Sequence, residues 1–131
     1  MEAESVNASR IEQLESLKSM QSTIHKLESA LSQMTESGAN TTLVKKRLLA
    51  VNAGLAVLEK IWENKPYPYT PEESAEARKV LVGLISSVEN SYARSKAGSP
   101  QRTLLERRLR ALKQAVQATD NLSATQATDP E

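Results

Sequence analysis

Apolar residues recur along most of this chain at steps of three and four, the spacing of one helical face. The first stripe is Ile11, Leu14, Leu17, Met20, Ile24, Leu27, Leu31 and Met34. From Met20 onward the steps alternate four and three, a coiled-coil-like seam able to pair with its own copy. The pattern predicts a helix from about Arg10 to Glu36, closed by Ser37-Gly38, because glycine takes the left-handed C-terminal conformation without Cβ strain. A second helix follows Asn40, read as its N-cap. It carries two adjacent lines, Val44, Leu48, Val51, Leu55, Leu58, Trp62 and Ala50, Gly54, Val57, Ile61. Two lines predict a wide buried face that meets more than one neighbour. The small residues Ala50, Ala53 and Gly54 predict close approach of another helix.

Lys65-Pro66-Tyr67-Pro68-Tyr69 interrupts the pattern. Two prolines remove backbone donors and bias their predecessors toward extended geometry, so residues 65–70 read as a connector. Thr70-Pro71-Glu72-Glu73 restarts the chain as an N-cap, a proline in the first helical position and a capping-box glutamate. The third helix runs from Pro71 to about Lys96 on Ala77, Val80, Leu81, Leu84, Ile85, Val88 and Tyr92, and Gly98 closes it. Ser99-Pro100 opens a fourth, with the lines Leu105, Leu109, Leu112, Val116 and Ala111, Ala115, Ala118, Leu122. Residues 1–9 lack a sustained period and read as a flexible arm. The polar, aperiodic segment 123–131 reads as a disordered tail.

The second half echoes the first. Thr42-Leu43-Val44-Lys45-Lys46-Arg47-Leu48-Leu49-Ala50-Val51 aligns without a gap on Thr103-Leu104-Leu105-Glu106-Arg107-Arg108-Leu109-Arg110-Ala111-Leu112, an offset of 61 (42 to 103). The same register pairs Met20 with Leu81, Ile24 with Ile85, Leu27 with Val88 and Leu31 with Tyr92. A register kept over two separate stripes reads as a duplicated helical hairpin. The expected fold is therefore all-α: an antiparallel four-helix bundle over residues 10–122, built from tandem hairpins at about 10–64 and 71–122.

Composition agrees with that reading. The 131 residues fit one domain, with sixteen Leu, no Phe and no Cys. An aliphatic core with few rings suits packed helices rather than strands. Lack of cysteine removes disulfides, thiolate nucleophiles and zinc–thiolate sites. Met1-Glu2-Ala3-Glu4 is acidic where a secretory signal is basic, and the longest apolar run, Ala53–Leu58, is far short of a bilayer span. The expected location is the cytoplasm, with no membrane partner.

Net charge is +1, yet the cations are clustered. Arg94, Lys96, Arg102, Arg107, Arg108, Arg110 and Lys113 lie close together with only Glu106 among them, and Lys45-Lys46-Arg47 is the matching cluster in the first hairpin. Cations early in a helix oppose its dipole. Lys45, Lys46, Arg47, Arg102, Arg107, Arg108 and Arg110 are accordingly the candidate polyanion or nucleic-acid contacts, placed at the loop end of the bundle. Duplication of a solvated face explains the same pattern, and no aromatic residue interrupts these runs to stack a base.

Other candidate chemistry is sparse. His25 and Glu28 form His-x-x-Glu, the reverse of the order used in carboxylate-bridged metal bundles, and position 86, the equivalent of His25, is serine. No nucleophile–base–acid set and no glycine-rich phosphate loop is present, so neither catalysis nor a cofactor is expected. Glu72, Glu73 and Glu76 are explained by the positive end of the third helix. Tyr67 and Tyr69, in a proline-stiffened connector, are candidates for partner contact, or else they fold back with Trp62 over one end of the core. The sequence thus favours a non-catalytic helical interaction or adaptor module that binds another protein or itself. Polyanion binding is the alternative, and a metal- or ligand-binding bundle centred on His25 the weaker one.

Overall fold

Ser9 stands just ahead of the first stripe, and Glu12 lies three residues on. Ser9 Oγ accepts the Glu12 N–H at 3.2 Å while Glu12 Oε1 accepts the Ser9 N–H at 3.1 Å. This reciprocal capping box satisfies two orphan donors and opens α1, Arg10–Ser37. The computed structural model describes residues 8–127, in which α2 (Thr42–Glu63), α3 (Pro71–Arg94) and α4 (Pro100–Ala127) complete the set of helices. No strand occurs among the described residues.

Each terminus has a local cause. Gly38, at φ 77°, ends α1 in the left-handed region, and its N–H and that of Ala39 return to the carbonyls of Thr35 and Met34. Asn64, at φ 56°, closes α2 the same way. Thr70 and Glu73 form the second capping box, at 3.0 and 2.9 Å, with Pro71 behind it. Ser99 Oγ accepts the Arg102 N–H and so starts α4.

Three boundaries differ from expectation. The N-cap position of α2 is Thr41, which makes no side-chain cap bond; Asn40 instead accepts the Thr42 N–H at 2.9 Å, an Asx-type turn. α3 stops at Arg94, where Ser95 turns extended and its hydroxyl donates to the Tyr92 carbonyl. α4 runs past Leu122 to Ala127, through the alanine-rich start of the expected tail. Residues 128–131 of that tail, and 1–7 of the expected flexible arm, lie outside the described residues.

The helices pack up-down-up-down. Arg10 reaches Glu63 at 2.9 Å, so α1 and α2 are antiparallel. Arg78 with Asp120 and Lys113 with Glu89 give the same result for α3 and α4. Ser16 with Gln114, and Glu15 with Arg110, align the start of α1 with the middle of α4. The turns 38–41 and 95–99 thus share one end, and the 64–70 connector lies at the other.

The cross-section is a rhombus. Each helix contacts its sequence neighbours, α1 also meets α4, and α2 touches α4 across the middle, whereas α1 and α3 do not meet. Side-chain size explains the short diagonal. Gly54 and Ala115 face each other there, and the buried residues of α2 and α4 include the small side chains Ala50, Ala53, Ala111 and Ala118. A Cβ at Gly54 would stand 2.8 Å from Met20 Cε, 3.3 Å from Ala115 Cβ and 3.4 Å from Leu81 Cδ1. One residue from each helix therefore meets in a single layer. Under the 61-residue register these four form two pairs, Met20 with Leu81 and Gly54 with Ala115.

Leu58, Leu81 and Leu112 are enclosed around this layer, each contributing about 1.5–3 kcal/mol of gross burial. Trp62 packs against the cluster at the end of α2. The first turns of α1 depart from the expected stripe. Ile11 and Leu14 are 72% and 49% exposed, whereas Leu17 keeps to the stripe and is buried, with Ser16 buried beside it. The inward face is set here by α4, whose Gln114 is buried and accepts the Ser16 hydroxyl proton at 2.5 Å. No helix among the described residues is long and apolar enough to cross a membrane.

Two positions probe this core. Gly54→Ala is expected to change stability little, because the roughly 1 kcal/mol gained in helix propensity offsets the shift of the flexible Met20 methyl. Gly54→Val adds bulk against Ala115 and should cost about 1–3 kcal/mol in urea denaturation. Ser16→Ala strands the Gln114 amide and should cost about 1–3 kcal/mol, most of it recovered in Ser16→Ala/Gln114→Leu, where both polar groups are gone.

Candidate functional site

The connector carries two of the three tyrosines. Asn64 turns the chain out of α2, and Pro66 and Pro68 bias the residues before them toward extended geometry. Both rings fold back on the core beside it, as Trp62 does. They meet each other with centroids 5.3 Å apart at 49°. The Tyr67 hydroxyl shares a 2.5 Å hydrogen bond with Ser74 Oγ, and Ser74 is itself buried. Tyr67 is thereby fixed. Tyr69 has a different position: it forms one wall of a groove between α2 and α3. Burial, then the neighbouring Tyr67 and Glu73, push its phenol above the usual 10.0.

That groove has a volume of about 340 Å³. Ala50, Ala53, Ala77 and Val80 make its apolar floor, and Leu49, 56% exposed, stands at its lip. Lys46 lies on the α2 side and Glu73 and Glu76 on the α3 side. The small residues that let helices approach also leave this furrow unfilled. Opposite it, between α1 and α4, lies a second groove of about 440 Å³ lined by Glu15, Lys18, Ser19, Ser22, Lys26, Leu104, Arg107 and Arg108.

The seven basic residues singled out by sequence are divided by this geometry. Lys45 and Lys46 are exposed on α2, Arg47 is half-buried, and only Lys46 joins the α2–α3 groove. Arg102 is engaged locally: its guanidinium lies 4.1 Å above the Tyr92 ring and donates to the Ser95 carbonyl at 2.9 Å, bracing the α3–α4 turn. Arg107 and Arg110 both reach Glu15, at 3.8 and 3.3 Å. These are partly exposed pairs of at most about 1 kcal/mol each. Arg107 and Arg108 enter the α1–α4 groove, where they meet Lys18 and Lys26 of α1.

Arg108 is the unusual member. It is half-buried, desolvation lowers its guanidinium pKa, and its enclosed Nε–H has no partner among the described residues. An unpaired buried donor of this kind costs about 1–3 kcal/mol. Lys18 and Lys26 do not stand out in the sequence because they are some eighty residues from the Arg107-Arg108 pair. Their signal is local, a polar line Lys18, Ser22, Lys26 at steps of four beside the apolar stripe of α1. Leu49 escapes notice for a similar reason, as it lies off both apolar lines of α2.

His25 is exposed on α1, and no group of three or more His, Asp or Glu side chains arranged to hold a metal occurs among the described residues. The fold thus defines an antiparallel four-helix bundle whose surface features include an apolar groove on one side and a cationic groove on the other. Compared with protein-family models, with curated proteins and with solved structures, the chain matches none.

Tyr69 gives a pH test. A group whose folded pKa is raised contributes stability that is present below its unfolded value and lost as pH rises through the folded one. Wild type should therefore lose more stability than Tyr69→Phe as pH rises above about 10, measured by denaturant unfolding.

Proposed function

We propose that this protein is a non-catalytic helical interaction module that associates with a second copy of itself through the α2–α3 groove, acting in the cytoplasm. The observation that carries the proposal is the make-up of that groove. A two-fold axis brings the same patch of two subunits together, so a self-pairing surface must complement itself. Here an exposed leucine, Leu49, stands beside an apolar floor of Ala50, Ala53 and Ala77 that lacks a large side chain. Lys46 lines the furrow toward the 38–41 turn, and Glu73 and Glu76 line it toward the connector. Turning one copy over sets its Lys46 against the acids of the other and its Leu49 toward the other's floor. The apolar centre with a charged rim is the usual anatomy of an interface. Tyr69, on the groove wall, is the connector residue that takes part, while Tyr67 supports it from beneath.

Light scattering across a concentration series tests this. The wild type should dimerise. Leu49→Glu and Lys46→Glu should each weaken the dimer at least about tenfold, or about 1.4 kcal/mol. The charge exchange Lys46→Glu/Glu76→Lys should restore much of the loss, since both subunits change together. A wild type that stays monomeric at millimolar concentration overturns the proposal.

A further inference from the structure

The cationic groove between α1 and α4 serves no purpose in that self-pairing, because it lies on the opposite side of the bundle. We infer that it is a binding site for a compact oligophosphate anion. Its cations come from two helices. Lys18 and Lys26 stand on α1, eight residues and so roughly 12 Å apart along the axis, with Ser22 between them. Arg107 and Arg108 face them from α4. Against these four cations the lining holds one carboxylate, Glu15, which is already engaged by Arg107 and Arg110. Neither Lys18 nor Lys26 forms an ion pair among the described residues.

Arg108 gives the site its direction. Partial burial strips water from a cation, and a cation in that condition is retained where an anion can meet it. Its Nε–H is enclosed and unpartnered, so contact with an anion falls to the outer part of the guanidinium, where the side chain lines the groove. The donors around the groove are ammonium, guanidinium and the hydroxyls of Ser19 and Ser22. Such a set suits phosphate groups, which offer three acceptor oxygens each and form short charge-assisted bonds. Size limits the ligand. A volume of about 440 Å³ holds a short phosphate chain, and no aromatic side chain lines the groove to stack a base. These features favour the compact anion over a nucleic-acid strand.

The probe is sodium tripolyphosphate, titrated calorimetrically into the full chain at about 50 mM and about 200 mM salt. One site per chain is expected, with affinity falling as salt rises. Lys26→Gln and Arg108→Gln should each weaken it at least tenfold, with helicity checked by circular dichroism. Glu15→Gln should tighten it severalfold, because it removes the lining's only carboxylate and frees Arg107 and Arg110, a gain that misfolding does not produce. Leu49→Glu should leave it unchanged, so failure of self-pairing and failure of this site are told apart. Absence of binding at the lower salt, or binding indifferent to Lys26→Gln and Arg108→Gln, overturns the inference. So does competition by polyglutamate as strong as by tripolyphosphate, or binding of a single-stranded oligonucleotide that tripolyphosphate does not displace.

Discussion

The close crossing of α2 and α4 governs this molecule. Helix axes approach only as near as the side chains between them allow, and here Gly54 faces Ala115. The central pair excludes α1 and α3 from each other, so the large side chains Met20 and Leu81 fill the shoulders of the rhombus. The outer furrows between neighbouring helices are then lined by small residues on the α2–α3 side and by polar ones on the α1–α4 side.

Polarity enters the interior at few points. Ser16 meets Gln114, Ser74 meets Tyr67, and the Thr119 hydroxyl returns to the Ala115 carbonyl at 2.8 Å. A buried polar pair adds little net stability, yet a slipped register strands both of its members. Aliphatic helices slide past one another at small cost, since one leucine replaces another. The Ser16–Gln114 bond fixes how far along α4 the start of α1 must lie, and the Tyr67–Ser74 bond fixes the connector against α3.

Most of the fold was legible in the sequence because helix period, caps and prolines are local signals. Four helices, their order and the wide buried faces of α2 and α4 can be read from spacing alone. The errors fall where tertiary context decides. Ile11 and Leu14 continue the apolar period but face solvent, since nothing in α1 itself records that Gln114 lies opposite. Ser9, read as part of the flexible arm, in fact caps α1 in a box with Glu12, and Asn40, read as a cap, serves the turn before α2. The sites were less legible. Basic residues adjacent in sequence diverge around α2 and α4 by about 100° per residue, so clusters that looked like one patch separate into a turn brace, a groove wall and exposed lysines. Lys18 and Lys26 join Arg107 and Arg108 only through the antiparallel packing of α1 on α4, which no local pattern announces.

The single tryptophan has a practical consequence. Trp62 rests half-covered where α2 gives way to the proline-rich connector, in a chain with no other indole. Its fluorescence is therefore a built-in gauge of one pole alone: emission will track loosening around the connector and stay blind to fraying at the two hairpin turns. Optical unfolding curves and backbone-based ones need not coincide on this protein, and any gap between them measures how independently its two poles come apart.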